Sequence, residues 1–117
     1  MLVKAKFNGK SSIGFTNGTT YTLDIDNSIF NIAFALPISN IPLHIKTKSG
    51  KYPDYKTLRC DYQRLSTFLS LWEIIFIWEE TIDIKYRYLP SYNGILGMMY
   101  QQMRSSKINT LLNETIL

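Results

Sequence analysis

Apolar and polar residues alternate along much of the first half of the chain. Val3, Ala5 and Phe7 are separated by lysines, which is the period-two pattern of a strand with one buried face. An asparagine–glycine pair at residues 17–18 marks a tight turn between two such segments. On this basis we predict five strands, over residues 3–8, 20–25, 29–36, 43–48 and 55–60.

The apolar period changes after residue 60. Asp61 is a helix-capping residue type, and the apolar side chains that follow share one helical face. These side chains are Tyr62, Leu65, Phe68, Leu69 and Trp72. We therefore predict a helix of about two turns. Residues 72–78 are apolar on both faces, which predicts a strand covered on both sides. The alternating residues 82–88 predict its hairpin partner.

The last part of the chain carries the pattern of a long helix, over residues 93–113. Ser91 or Asn93 is the predicted N-cap. One apolar stripe runs along this helix. It consists of Ile95, Met99, Met103, Ile108, Leu111 and Leu112. The stripe slips at residues 104–106, where we expect a break in the helix.

These elements predict a β-rich α+β protein with a single domain, since 117 residues suit one core. We expect a small antiparallel barrel or strongly bent sheet over residues 1–78, a short helical turn, a hairpin extension over 72–88 and one C-terminal helix. The predicted core consists of Phe7, Tyr21, Leu23, Phe30, Ile32, Phe34, Ile45, Leu65, Phe68, Trp72 and Ile74.

Part of this pattern resembles a known group of proteins. Lys10-Ser11-Ser12-Ile13-Gly14-Phe15, then Gly18 and Tyr21, and finally Tyr62-x-x-Leu65-x-x-Phe68-x-x-x-Trp72-Glu73-Ile74-Ile75 are the matching residues. They resemble short phage and prophage proteins of Gram-positive bacteria that look like Src-homology-3-like barrels. The resemblance covers residues 1–77 and implies a barrel with a helical turn packed against it. It implies no active-site residues. The long stretch 29–42 and residues 78–117 lie outside it and are candidates for binding a partner.

Positive charge is concentrated in the first half of the chain. The protein has 13 Lys and Arg against 9 Asp and Glu, a formal net charge of +4. The predicted alternation places one group of basic side chains on the outward face of the strands, where they can meet nucleic acid or an acidic partner. This group consists of Lys4, Lys6, His44, Lys46 and Lys48. A solvated lysine-rich surface is the simpler interpretation of the same residues.

Catalysis is not expected from this sequence. The chain has one His and one Cys, and the alternation predicts His44 outward and Cys60 inward, so they should not form a nucleophile–base pair. Asp24 and Asp26 are assigned to a turn, and no phosphate-binding loop motif is present. We therefore expect no catalytic residue, no metal site and no cofactor.

A second candidate surface lies on the C-terminal helix. Methionine adapts to irregular partners and tyrosine is enriched at interfaces. The predicted partner or oligomer interface consists of Leu96, Met99, Tyr100 and Met103. The alternative is that this stripe packs on the predicted hairpin. If it stays exposed, a homodimer is a simple way to cover it.

These observations and the resemblance favour a non-enzymatic accessory protein of a phage or mobile element that acts by binding. The expected role is inhibition or modulation of a host nucleic-acid-targeting defence system, of the anti-CRISPR kind. Its partner would be a host protein or a protein–nucleic-acid complex. The alternatives are a direct nucleic-acid-binding accessory protein and a sponge for a small nucleotide signal. The start of the chain lacks a secretory signal and no apolar stretch reaches the ~20 residues of a membrane span, so we expect the host cytoplasm and no membrane.

Overall fold

The computed structural model describes residues 1–11, 14–32, 37–49 and 56–116, with side chains for all of these except 32, 56, 58 and 107–116. Five strands form one antiparallel sheet in the order β4-β3-β2-β1-β5. They are β1 (Leu2–Phe7), β2 (Thr20–Ile25), β3 (Pro42–Ser49), β4 (Lys56–Arg64) and β5 (Trp72–Trp78). The helices are α1 (Ile29–Ile32), α2 (Leu65–Leu71) and α3 (Pro90–Ile116). The predicted α+β class is confirmed.

The sheet is strongly bent, because one short helix joins its two edge strands. In a flat sheet β4 and β5 would lie four strand spacings apart, about 19 Å. Only the seven residues of α2 connect the end of β4 to the start of β5, and a helix of that length spans about 12 Å with its junctions. The sheet must therefore curl toward α2, which contacts both edge strands.

The concave side of the sheet holds the core. Alternate residues of β1, β2 and β3 point inward, as the hydrophobic pattern predicts, and they form one core cluster with residues of α2, α3 and β5. Trp72 lies at the centre of an aromatic cluster, with four ring centroids 5.0–6.0 Å from its own. These rings belong to Phe7, Phe15, Tyr21 and Phe68.

Most of the predicted core residues are buried. Tyr21 is half-buried against this cluster, and the side chains of Ile32 and Phe34 lie outside the described residues. The buried ones are Phe7, Leu23, Phe30, Ile45, Leu65, Phe68, Trp72 and Ile74.

The predicted strand over residues 29–36 is wrong in its described part. Residues Ile29–Ile32 form the helical turn α1, and residues 33–36 lie outside the described residues. The local cause is the turn before α1, where the Ser28 N–H donates to the Asp26 carboxylate at 2.8 Å. This Asx turn directs the chain into helical geometry. Phe30 is buried all the same, because either conformation points it at the core.

The predicted helix start at Asp61 is also wrong. Strand β4 continues to Arg64, which pairs with Pro42 of β3, and α2 begins only at Leu65. Asp61 caps nothing and instead forms an ion pair with Arg59, at 3.0 Å. Tyr62 therefore lies on a strand, and 75% of its surface is exposed. Pairing with β3 overrides the helical spacing of these residues.

No hairpin partner of β5 is present among the described residues. After β5 the chain passes through two 3-10 turns, Glu79–Thr81 and Ile84–Tyr86. The Thr81 hydroxyl fixes the first turn by donating to the Trp78 carbonyl at 2.6 Å and accepting the Leu2 N–H at 2.8 Å. These bonds end the β1–β5 pairing, so the alternation over residues 82–88 does not form a strand.

Helix α3 is continuous through residues 104–106, so the predicted break is absent. It begins at Pro90, a residue suited to the first helical position. Ser91 is buried and donates its hydroxyl proton to the Phe30 carbonyl instead of capping the helix. Gln102 attaches α3 to the sheet edge: its amide donates to the Leu69 and Trp72 carbonyls and accepts the Ile74 N–H. No helix within the described residues is long and apolar enough to cross a membrane.

Candidate functional site

The convex side of the sheet carries the side chains that alternate with the core, and we call it the outer face. Strand register aligns these residues in rows that run across the sheet. The first row consists of Phe76, Lys4, Thr22, Lys48 and Thr57. The second consists of Trp78, Leu2, Asp24, Lys46 and Cys60. Tyr62 and His44 pair beyond the second row, on β4 and β3.

The structure brings the five predicted basic-face residues together on the outer face. Lys4 is exposed, and Lys46 lies between Asp24 and Cys60. The Lys48 ammonium donates to the Thr57 hydroxyl at 2.8 Å, and Lys6 forms an ion pair with Glu73 at 3.2 Å. A further cation, which was not predicted, is the exposed Arg64, which continues the outward alternation of β4.

Carboxylates lie beside the first row and not within it. Asp24 is in the second row and Glu73 pairs with Lys6, whereas the first row contains two lysines and no acid. Asp26 lies at the border of the face, and its pKa is lowered, chiefly by the hydrogen bond from Ser28 and also by the nearby His44 and Lys46. The positive potential of the outer face is therefore strongest along the first row.

Exposed aromatic rings lie at both edges of the outer face. On β4, Tyr62 stacks on His44 with 4.5 Å between ring centroids and 3° between ring planes. We call this pair the Tyr62 platform. On β5, 49% of the Phe76 surface is exposed, and Trp78 contacts its ring edge-on at 5.0 Å and 70°. We call this pair the Phe76 platform.

The sequence predicted neither platform. Tyr62 was assigned to a helix, and β5 was expected to be covered on both sides, whereas its outer side is open at Phe76. A register shift opposite Lys4 and Ala5 adds one residue to β5, so Ile75 and Phe76 are both exposed. Such a bulge re-aims side chains and leaves no clear mark in the hydrophobic pattern.

The predicted orientation of Cys60 is wrong. It was expected inward, but it is exposed on the outer face, opposite Lys46. A register shift between Thr47 and Lys48 changes the parity of β4 and accounts for the difference. His44 and Cys60 thus share a face, contrary to expectation. The cross-strand partner of His44 is nevertheless Tyr62, which stacks on the imidazole.

A polar cavity of about 310 Å³ opens at one end of the outer face. It includes His44 and Lys46 of the basic face, together with Met1, Asp24, Ile25, Asp26, Asn27, Asp83 and Tyr86. The amino group of Met1 donates to the Ile25 carbonyl and the Asn27 side-chain oxygen at 2.8 and 2.9 Å. Burial lowers the pKa of this amine. Within the described part of the chain, no group of three or more metal-ligating side chains is placed to hold an ion.

The predicted interface on the C-terminal helix is only partly accessible. Leu96 and Met99 are buried in the protein's own core, so they cannot supply an exposed partner surface. Their stripe packs against the sheet and α1. Tyr100 and Met103 are half-buried at the margin of that contact. Burial and a hydrogen bond with Glu79 raise the pKa of Tyr100 to about 12.

The outer face thus combines lysines in the middle of the sheet with flat aromatic rings at its two edges. Its lysines and His44 could be predicted from alternation, whereas Tyr62, Arg64, Phe76 and Trp78 could not. Comparison of the chain with protein-family models, with curated proteins and with solved structures finds no match in any of the three.

Proposed function

We propose that this protein binds single-stranded nucleic acid on the outer face and performs no catalysis. The observation that carries the proposal is the register of the sheet, which places lysines on its middle strands, between two edge strands that carry exposed aromatic rings. A single strand offers phosphates to the lysines and unpaired bases to the rings. A duplex hides its base faces and would use only the lysines.

The arrangement fits nucleic acid better than an acidic protein partner. Protein interfaces have an apolar centre and a polar rim, and their energetic anchors cluster near the middle. The outer face has the reverse order, with Lys4 and Lys48 in the middle and Phe76 and Tyr62 at the edges. In contact with a protein these central lysines would stay hydrated, whereas the phosphates of a nucleic acid can pass over them and interact with their charges.

Interference with a host nucleic-acid-targeting system remains part of the proposal, but through binding of nucleic acid and not through a protein interface on α3. Leu96 and Met99 were expected to contact a protein partner, but they are buried in the core. Single strands that are bound on the outer face would still be inaccessible to such a system. A sponge for a small nucleotide signal has less support, because three carboxylates (Asp24, Asp26 and Asp83) line the cavity beside the face and would repel its phosphates.

A salt titration tests this function. We expect a fluorescent single-stranded 12-mer to bind, and a duplex of the same sequence to bind more weakly. If Lys4, Lys46 and Lys48 each neutralise one phosphate, affinity should fall about 20-fold between 50 and 200 mM salt, since each contact adds ~0.7 to the slope for single strands. Absence of binding at 50 mM salt and high micromolar protein, or affinity independent of salt, would contradict the proposal.

A further inference from the structure

We propose that the bound strand crosses the outer face from β5 to β3 and then turns along β3, with one base stacked on the Phe76 platform and another on the Tyr62 platform. This inference rests on the proposed function and adds the path, the length and the base contacts of the ligand. Both platforms, and not only the lysines, then determine affinity. Because stacking accepts any base, the site should tolerate most sequences.

The Tyr62 platform is built to receive a base. The imidazole of His44 lies parallel to one face of the tyrosine ring at 4.5 Å, and 75% exposure of Tyr62 leaves the opposite face open. His44 is half-buried on the neighbouring strand and stacks on Tyr62, so it holds the ring before any ligand arrives. A ring that is already oriented loses little conformational entropy on binding.

The Phe76 platform lies at the opposite edge. Trp78 contacts Phe76 edge-on, an arrangement favoured by the ring quadrupoles, and fixes its plane. The bulge in β5 turns Phe76 outward opposite Lys4. A base stacked on Phe76 would therefore place its phosphate next to the first cation of the row.

The lysines between the platforms define the path. From Phe76 the first row meets Lys4 on β1, Thr22 on β2 and Lys48 on β3, and on β4 it ends at Thr57. The small side chain of Thr22 leaves the backbone room to pass between the two ammonium groups. To reach Tyr62 the strand turns at Lys48 and follows Lys46 and His44 along β3, because His44 is the cross-strand partner of Tyr62. A path along a single strand would reach one platform only.

The carboxylates exclude the neighbouring paths. Asp24 lies on one side of the first row, and Glu73 lies on the other side beside Lys6. Like-charge repulsion therefore disfavours a strand that drifts off the row toward either acid. The direct diagonal between the two platforms passes over Asp24, so the strand keeps to the first row as far as Lys48 and then turns along β3 to the Tyr62 platform.

The distance between the platforms sets the length of the site. From β5 to β3 the path covers three strand spacings, about 14 Å, and the four residues from Lys48 to His44 and the step to β4 bring it to about 32 Å. A stacked strand rises about 3.4 Å per nucleotide, so the path holds at most about nine nucleotide steps, and fewer if the strand is extended. A trimer is too short to reach both.

Single-strand length and two alanine substitutions test this path together. For the wild-type protein we expect affinity to rise steeply up to about nine or ten nucleotides and then to level off. With a decamer, Tyr62→Ala and Phe76→Ala should each weaken binding about 5- to 150-fold, the range for one stacked base, and the double variant should lose about the product of the two. With a trimer, which occupies either platform, each single substitution should cost about twofold and the double variant should abolish binding.

Control variants separate stacking from general damage. Tyr62→Phe keeps the stacking ring and should bind like wild type. Tyr88→Ala removes an exposed ring that lies outside the strands and should also leave binding unchanged. If the decamer binds both alanine variants with the affinity and the salt dependence of the wild type, the crossing path is wrong while the proposed function stands. If one alanine substitution weakens binding of the trimer as much as binding of the decamer, only one platform is used. If wild-type protein binds no oligonucleotide, both are overturned.

Discussion

Replacement of Trp72 by alanine should destabilise the protein by about 3–5 kcal/mol, the range for an aromatic side chain lost from a core. Trp72 is buried and contacts rings from β1, β2, α2 and the segment at Phe15. Removal of its side chain therefore opens a cavity where four parts of the chain meet. Because small domains are stable by only about 5–15 kcal/mol, this loss is a large part of the total, and we expect a clearly lower midpoint in urea denaturation followed by circular dichroism.

Two further variants isolate the cause. Trp72→Phe should cost less than alanine, because it keeps a ring and removes an indole N–H that has no partner among the described residues. Trp78→Ala removes the second tryptophan, which is half-buried on the outer face, and should cost less than half as much as Trp72→Ala. Equal losses at Trp72 and Trp78 would contradict the assignment of the inner face as the core.

Charge reversal on β3 should have the largest effect on binding. Lys46→Glu combined with Lys48→Glu replaces two predicted phosphate contacts with two repulsive charges, and we expect at least a 100-fold loss of affinity for a single-stranded 12-mer at about 50 mM salt. The fold should survive, since both side chains lie on the outer face and the hydrogen bond from Lys48 to Thr57 is exposed. Fluorescence anisotropy measures the affinity, and circular dichroism checks the fold.

Arg104→Glu is the matched control for charge reversal. Arg104 is exposed on α3, away from the rows of the outer face. Its replacement by glutamate changes the charge by the same amount as each lysine substitution on β3. We expect an affinity within about threefold of wild type, since only long-range and screened repulsion changes. If Arg104→Glu weakens binding as much as either lysine substitution does, the nucleic acid responds to net charge and not to this face.

The fold could be predicted from the sequence where the hydrophobic pattern is compatible with only one arrangement of the strand. In β1, β2 and β3, alternation allows only one face to be buried, so the inner residues and the outward lysines followed directly. From residue 61 to 72 the apolar positions fit a helix and a strand end equally well. Pairing of Arg64 with Pro42 decided between them, and this contact joins residues far apart in sequence.

The site was predictable only in its charges. Lys4, Lys46 and Lys48 needed nothing beyond strand parity. The Tyr62 platform needed the correct end of β4, and the Phe76 platform needed the bulge in β5. Register shifts of this kind arise from how two strands fit together, so a single strand's sequence does not contain them.

Protection of Cys60 tests the central claim most directly. This is the only cysteine of the chain, and it is exposed on the outer face between Lys46 and the β4 edge. Its alkylation by N-ethylmaleimide, an uncharged reagent, can be followed by mass spectrometry with and without a saturating single-stranded decamer, with a free thiol as control. We predict that the decamer slows alkylation of Cys60 at least several-fold and leaves the free thiol unaffected. An unchanged rate on fully bound protein would show that the nucleic acid lies elsewhere.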